Sequence, residues 1–229
     1  MRLFDKAVKR DLLSTPDSGQ FSYPNAGGLT LSAHPDYHTR EAIPINWRLA
    51  SSSDRDLELA GTGPNGLLLR RMISLANDGI VRTSTFAMNG GSGEVGLALQ
   101  ARFELDPGSS GNPTVTFSRQ DGGQWEKALS DLERDPSGPE SHTDGARPAG
   151  EWRLVSGGSK NVSSVRFPED QVARAYTSWS LRTTRNVTFG LWSPVKILKP
   201  GDVLRLDCAV AAEPGAVPGS RAGKAKARR

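Results

Sequence analysis

GLLLRRMISLANDGIVRTSTFAMNGGSGEVGLALQARFEL, residues 66–105, decides the fold. Asn77-Asp78-Gly79 and Asn89-Gly90-Gly91 divide it into three long apolar-rich runs. Asn-Gly and Asp-Gly pairs supply the positive φ that tight turns between strands require. The stretch therefore reads as three strands joined by two tight turns. In the third run Leu97, Leu99, Ala101, Phe103 and Leu105 share one face, and Ala98, Gln100, Arg102 and Glu104 share the other. The first face is a core layer. The second sets an amide, a guanidinium and a carboxylate in a row, an unusual composition for a plain solvated surface.

Working outward, the same signals recur. Phe21–Tyr23 and Leu29–Ala33 flank a turn at Pro24-Asn25-Ala26-Gly27-Gly28. Ile43–Ser51 and Leu57–Ala60 are further strands, and Pro113–Ser118 with Gln124–Leu129 forms a hairpin. Glu151–Val155, Val162–Phe167, Val172–Thr183, Asn186–Trp192 and Val203–Val210 follow, the last after a type II turn at Lys199-Pro-Gly-Asp202. About fourteen strands, with turn signals every 8–12 residues, predict an all-β chain built as one large antiparallel sandwich over residues 20–210. Residues 1–19 are a lead-in, read either as a short amphipathic helix or as a frayed end. Residues 130–150 are a long polar loop.

The composition agrees: among 229 residues there are 25 glycines and 15 prolines, which favours turns over helices. No apolar stretch is long enough for a membrane helix. The net charge of +4 comes from 29 basic and 25 acidic residues. Residues 213–229 hold Arg221, Lys224, Lys226, Arg228 and Arg229 against Glu213, and setting these aside leaves 24 of each sign. The body is neutral, which argues against nucleic acid as a partner, and residues 211–229 read as a disordered basic tail. No apolar segment follows the N-terminal charges, so no signal peptide is expected and a cytoplasmic location is the default. The single Cys208, in an alternating strand, reads as a buried inert thiol.

Most catalytic constellations fail. His34 and His38 flank Asp36 on a loop, without a third ligand, so no metal is expected. Gly61-Thr-Gly63-Pro-Asn-Gly66 has dinucleotide-loop spacing but precedes a strand, and no cofactor is expected. What remains is tryptophan beside guanidinium: Trp47-Arg48, Trp152-Arg153, Trp179 near Arg182, and Trp192. Sugars are held by aromatic faces under their C–H surfaces and by charged or amide side chains at their hydroxyls. The expected binding set is Gln100, Arg102, Glu104, Trp47, Arg48, Trp152, Trp179, Arg182 and Trp192, with a mono- or oligosaccharide as partner.

Two stretches carry a family resemblance: residues 67–105, and NVTFGLWSPVKILKPGDVLRLD at 186–207. Together they resemble the galactose mutarotase-like (aldose 1-epimerase-like) super-sandwich. In that family a histidine on the third strand protonates the ring oxygen; Gln100 stands there, with Phe103 retained. The family's basic glutamate precedes the closing Pro-Gly turn, where this chain has Phe189-Gly190-Leu191-Trp192. The resemblance therefore implies a sugar-binding domain without epimerase activity, either a shortened relative or a piece of a longer enzyme. It places the site on the Gln100, Arg102 and Glu104 face. The alternatives are a sugar or sugar-phosphate enzyme using Glu104 as acid or base, and a structural or interaction subunit.

Overall fold

In the computed structural model the described residues are 4–5, 10–11, 26–32, 45–105, 107, 111–132, 148–158, 161–180 and 186–213. Their strands, in chain order, are β1 (Phe4–Asp5), β2 (Arg10–Asp11), β3 (Ala26–Ser32), β4 (Asn46–Ser52), β5 (Asp56–Thr62), β6 (Leu67–Leu75), β7 (Val81–Asn89) and β8 (Val95–Leu105). There follow β9 (Thr114–Ser118), β10 (Gln124–Ala128), β11 (Glu151–Val155), β12 (Val162–Arg166), β13 (Arg174–Ser180), β14 (Asn186–Trp192), β15 (Lys196–Leu198) and β16 (Val203–Glu213). A single helical turn, Leu129–Leu132, follows β10. Nine strands form one antiparallel sheet in the order β10-β9-β11-β12-β16-β7-β6-β5-β4. A smaller sheet orders β13-β14-β8-β15, with β3 on the other side of β8. The all-β antiparallel sandwich expected from the sequence is the observed architecture.

Alternation builds the core. On the large sheet Leu67, Leu69, Trp152, Leu154, Leu204 and Leu206 turn inward; on the smaller one Leu97, Leu99, Phe103, Leu105, Phe189 and Leu191 meet them. The Trp152 indole stacks on the Phe189 ring across this interface, with centroids 4.2 Å apart and planes at 19°. Such a pair contributes about 1 kcal/mol beyond its buried area.

The first turn of the 66–105 stretch is a hairpin. Gly79 takes φ +80°, Ile80 N–H donates to the Asp78 carboxylate at 3.0 Å, and β6 pairs with β7 along its whole length. The second turn is not a hairpin, contrary to expectation. After Asn89 the chain leaves the large sheet, and β8 becomes the centre of the smaller one. Asn89 makes the corner. Its buried amide Nδ2 donates to Gly93 O (2.6 Å) and Leu198 O (2.8 Å), and its Oδ1 accepts from Gly91 N (3.0 Å). Its backbone bonds Asp202 and Gly201. The glycines beside it are required by crowding: a Cβ on Gly66, itself at φ +76°, would lie 2.9 Å from the Gly91 backbone.

Other expectations need adjustment. Phe4–Asp5 pairs with Arg10–Asp11 as strands, which excludes a helix there. Ala26–Gly28 belongs to β3, where a bulge replaces the expected turn. β15 was missed in the sequence because Pro194 and its neighbours hide a three-residue strand. Here Ser193 fills the gap between β14 and β15, its Oγ accepting from Leu99 N (2.9 Å) while its N–H donates to Leu99 O (2.8 Å). β16 continues past Val210 to Glu213, whose carboxylate pairs with Arg153 and Arg166. The Lys199–Asp202 turn is present, with Gly201 at φ +87°. No helix among the described residues is long and apolar enough to cross a membrane.

Asn89→Ala should destabilise the fold by about 3 kcal/mol, because two buried carbonyls and one N–H lose their partner together. Asn89→Asp should cost at least as much, since a carboxylate would face both carbonyls. Urea unfolding midpoints test this; variants within experimental error of wild type would show that the amide does not hold the corner.

Candidate functional site

Among the described residues, those singled out in the sequence are divided between the two sheets and do not form one cluster. Trp152 is a correction: it is fully buried against Phe189, so no ligand can stack on it. Gln100 and Trp192 stand opposite each other in the β8–β14 ladder and are buried at 7% and 5% exposure. Neither presents a surface platform. Arg102 pairs in register with Gly190 and Glu104 with Thr188, on the alternate of β8 that includes Gln100. Trp179 stands opposite Val187. Trp47 and Arg48 lie on the edge strand β4, in the other sheet; the Trp47 ring packs over Gly61, leaving no room for a Cβ there. Arg182, His34, Asp36 and His38 lie outside the described residues. Among those described, no group of three or more His, Cys, Asp or Glu is placed to hold a metal ion.

A cleft of about 720 Å³ opens on the large sheet, and Gln100, Trp47, Arg48, Trp152 and Trp192 do not line it. Its floor is the outward face of β12, β16 and β7. Leu206 and Val210 of β16 and Thr83 of β7 are buried, so alternation turns Arg205, Asp207, Arg82 and Ser84 the other way. Register sets Asp207 opposite Ser84, and Ala209 between Arg82 and Arg166. The walls are Ala149–Glu151 and Phe167–Pro168. They are joined by the bond from Phe167 N to Gly150 O (2.9 Å), with Gly150 at φ +73°.

Asp207 is the most tightly held group. Its Oδ2 accepts from Arg205 Nε at 2.7 Å and Gln171 Nε2 at 3.1 Å, while Oδ1 is buried without a donor. Gln171 also accepts from Asp207 N at 2.8 Å, taking over the ladder position that β12 vacates after Arg166. Burial pushes the Asp207 carboxyl up, but hydrogen bonds from Ser84, Arg205 and Gln171 and the Arg205 charge bring it net below its ordinary value. Arg205 lies 5.1 Å above the Phe86 ring. Arg166 pairs with Glu151 (2.7 Å) and Glu213 (2.9 Å), and Arg82 with Asp78 (3.4 Å). Each of these three guanidinium groups thus has a carboxylate beside it. These are hydrogen-bonding edges fixed in direction with little net charge.

The signal for this cleft was available in the sequence. Arg205-Leu206-Asp207 and Arg82-Thr83-Ser84 show the same polar alternation that drew attention to Gln100, Arg102 and Glu104. What the sequence could not show was that these two segments are adjacent.

Two predictions follow from the chemistry. Burial pushes the Cys208 thiol up to about 11, with the Thr83 hydroxyl, 2.8 Å from its sulfur, and the Arg71 charge opposing the shift. The native protein should leave a disulfide reagent unreacted at pH 8 and consume one equivalent once unfolded; fast native labelling would refute the burial. Because the Asp207 carboxyl is lowered in the fold, its stabilising contribution is present above the ordinary aspartate value of 3.8 and lost as pH falls through the lower folded value. Unfolding free energies of wild type and Asp207→Asn should therefore differ at pH 6, and the difference should shrink as pH falls below 3.8.

No protein-family model and no curated protein matches the chain. Among solved structures, it is similar to a galactose mutarotase-like protein from Lactobacillus casei, with a TM-score of 0.66 and 10% identity over 92% of each chain. A protein from Synechocystis sp. PCC 6803 superposes with a TM-score of 0.59 at 12% identity, over 90% of this chain and 85% of that one. A galactose mutarotase related enzyme from Lactobacillus acidophilus gives 0.53 at 12% identity, over 74% and 72%. Identity this low speaks to backbone architecture and not to residue roles. The chain has the galactose mutarotase-like β-sandwich fold.

Proposed function

We propose that the protein binds a neutral carbohydrate in the cleft between β7, β12 and β16, without catalysing epimerisation. The observation that carries this reading is the set of paired guanidinium and carboxylate groups lining the cleft, Arg205 with Asp207 on the floor and Arg166 with Glu151 at the wall. Sugar hydroxyls both donate and accept, so a carboxylate next to a guanidinium serves vicinal hydroxyl pairs. A phosphorylated or acidic sugar would have to displace a carboxylate already in place, which disfavours anions. The mutarotase-like fold is compatible with a sugar ligand.

The absence of turnover rests on protonation. Mutarotation needs one group to give a proton to the ring oxygen and another to take one from the anomeric hydroxyl. Asp207 is held ionised and accepts rather than donates, and the Cys208 thiol is buried. The resemblance adds that Gln100 stands where the family has its histidine, and an amide cannot act as a general acid.

Saturation-transfer NMR with free aldoses tests this reading. The expected result is transfer to sugar protons, with no anomeric exchange beyond the buffer rate. Asp207→Ala or Arg205→Ala should weaken binding by about tenfold to a hundredfold, the loss of one charged hydrogen bond. If Arg102→Ala or Glu104→Gln causes the loss instead, the site lies on β8. Accelerated anomeric exchange would make the protein an epimerase, and absence of any transfer would favour an interaction subunit.

A further inference from the structure

The large sheet leaves most of its outward face open beyond the cleft. Large apolar side chains stand exposed there: Leu68 and Met72 of β6 at 41% and 43%, and Val203 of β16 at 52%. These belong to the alternate that faces away from the core, since Leu67, Leu69 and Leu204, one position away, are buried.

Strand register connects these residues to the cleft. One row runs across the strands from Asp207 to Ser84, Met72, Glu58 and Ser51. The next row, two residues along β16, β7, β6 and β5 and three along β4 where its register shifts, runs from Arg205 to Phe86, Arg70, Ala60 and Arg48. Asp207 and Arg205 thus begin rows that leave the cleft and cross β7, β6, β5 and β4. Met72 is the apolar member of the first row, and polar and apolar groups alternate along the second. Arg205 covers Phe86, and Arg70 Nε donates to Glu58 Oε1 at 2.7 Å, beside the exposed Met72 thioether.

We infer that the cleft is one end of an oligosaccharide track, which runs across β16, β7, β6 and β5 between these two rows. The inference rests on the carbohydrate reading of the cleft and extends it to a ligand of several sugar units. The track offers the Met72 thioether as a low apolar platform for C–H faces, and beside it the Arg205–Asp207 and Arg70–Glu58 pairs for hydroxyls. Neighbouring strands are about 4.8 Å apart, close to the length of one pyranose unit, so a chain crossing four strands seats about four units. The same interruption of apolar groups by ion pairs in both rows disfavours a protein partner, whose interface core would be depleted of charge. Arg48, singled out in the sequence beside Trp47, stands where the second row reaches the sheet edge.

The test is calorimetric titration of the full chain with gluco-, galacto-, manno- and xylo-oligosaccharides of one to six units. In the series that binds, Kd should fall by about tenfold or more from monomer to tetramer and then level off. The double variant Arg70→Ala/Met72→Ser should lose that gain while its monosaccharide Kd stays within about twofold of wild type. Both side chains are well exposed, and an unchanged melting temperature would exclude misfolding. Monosaccharide binding without any gain on lengthening overturns the track and leaves the cleft reading intact. A gain that survives the double substitution also overturns it. Failure of every sugar to bind overturns both readings.

Discussion

One buried amide sets the relation between the two sheets. Asn89 closes β7 and directs the chain out of the large sheet, and its side chain bonds backbone on both sides of the corner, at Gly91, Gly93 and Leu198. An amide suits this place because it offers two donors and an acceptor without charge. β8 then leaves the corner as the centre of the smaller sheet, so the facing of Phe103 and Leu105 toward the large sheet depends on where Asn89 sends the chain. The glycines around it, Gly66, Gly90 and Gly91, allow the β6 and β8 approaches to close on each other.

The same solution recurs elsewhere in the molecule. Where a ladder breaks, a side chain takes the place of the missing backbone partner: Ser193 between β14 and β15, and Gln171 where β12 departs from β16. Buried backbone groups must be paired, and these substitutions let strands end or shift without leaving an orphan. The Gln171 case also shapes the cleft, because the same side chain holds the carboxylate of Asp207. Sheet termination and the cleft floor are one arrangement.

The strands and local turns were legible because their signals are local. Gly79 needs positive φ, Pro200-Gly201 specifies its turn, and alternation in β6, β7 and β16 marks their buried faces correctly. Sheet membership was not legible. Asn89-Gly90-Gly91 carries the composition of a hairpin turn, yet its conformation answers to Leu198 and Asp202, more than a hundred residues away. Tryptophan misled for a similar reason: an indole beside an arginine has the same local sequence whether it packs on Phe189, as Trp152 does, or stands on an edge strand, as Trp47 does. The cleft residues were hidden by distance along the chain, since Arg82, Arg166 and Arg205 converge only when β7, β12 and β16 become neighbours.

The two sheets divide the work of the fold. Around Ala98 to Ala101 the smaller sheet is buried on both faces, so its residues serve packing, and a change there is felt throughout the core. The large sheet is buried on one face only. Its outward alternate contributes little to the core, and its exposed ion pairs add little to stability. Arg205, Arg70 and Glu58 are therefore free of the constraint that holds Leu206, Leu69 and Trp152, while Asp207 is held to the fold through Gln171. The neutral body of the chain fits this view, because a face of matched charges does not select for the sign of a partner's charge.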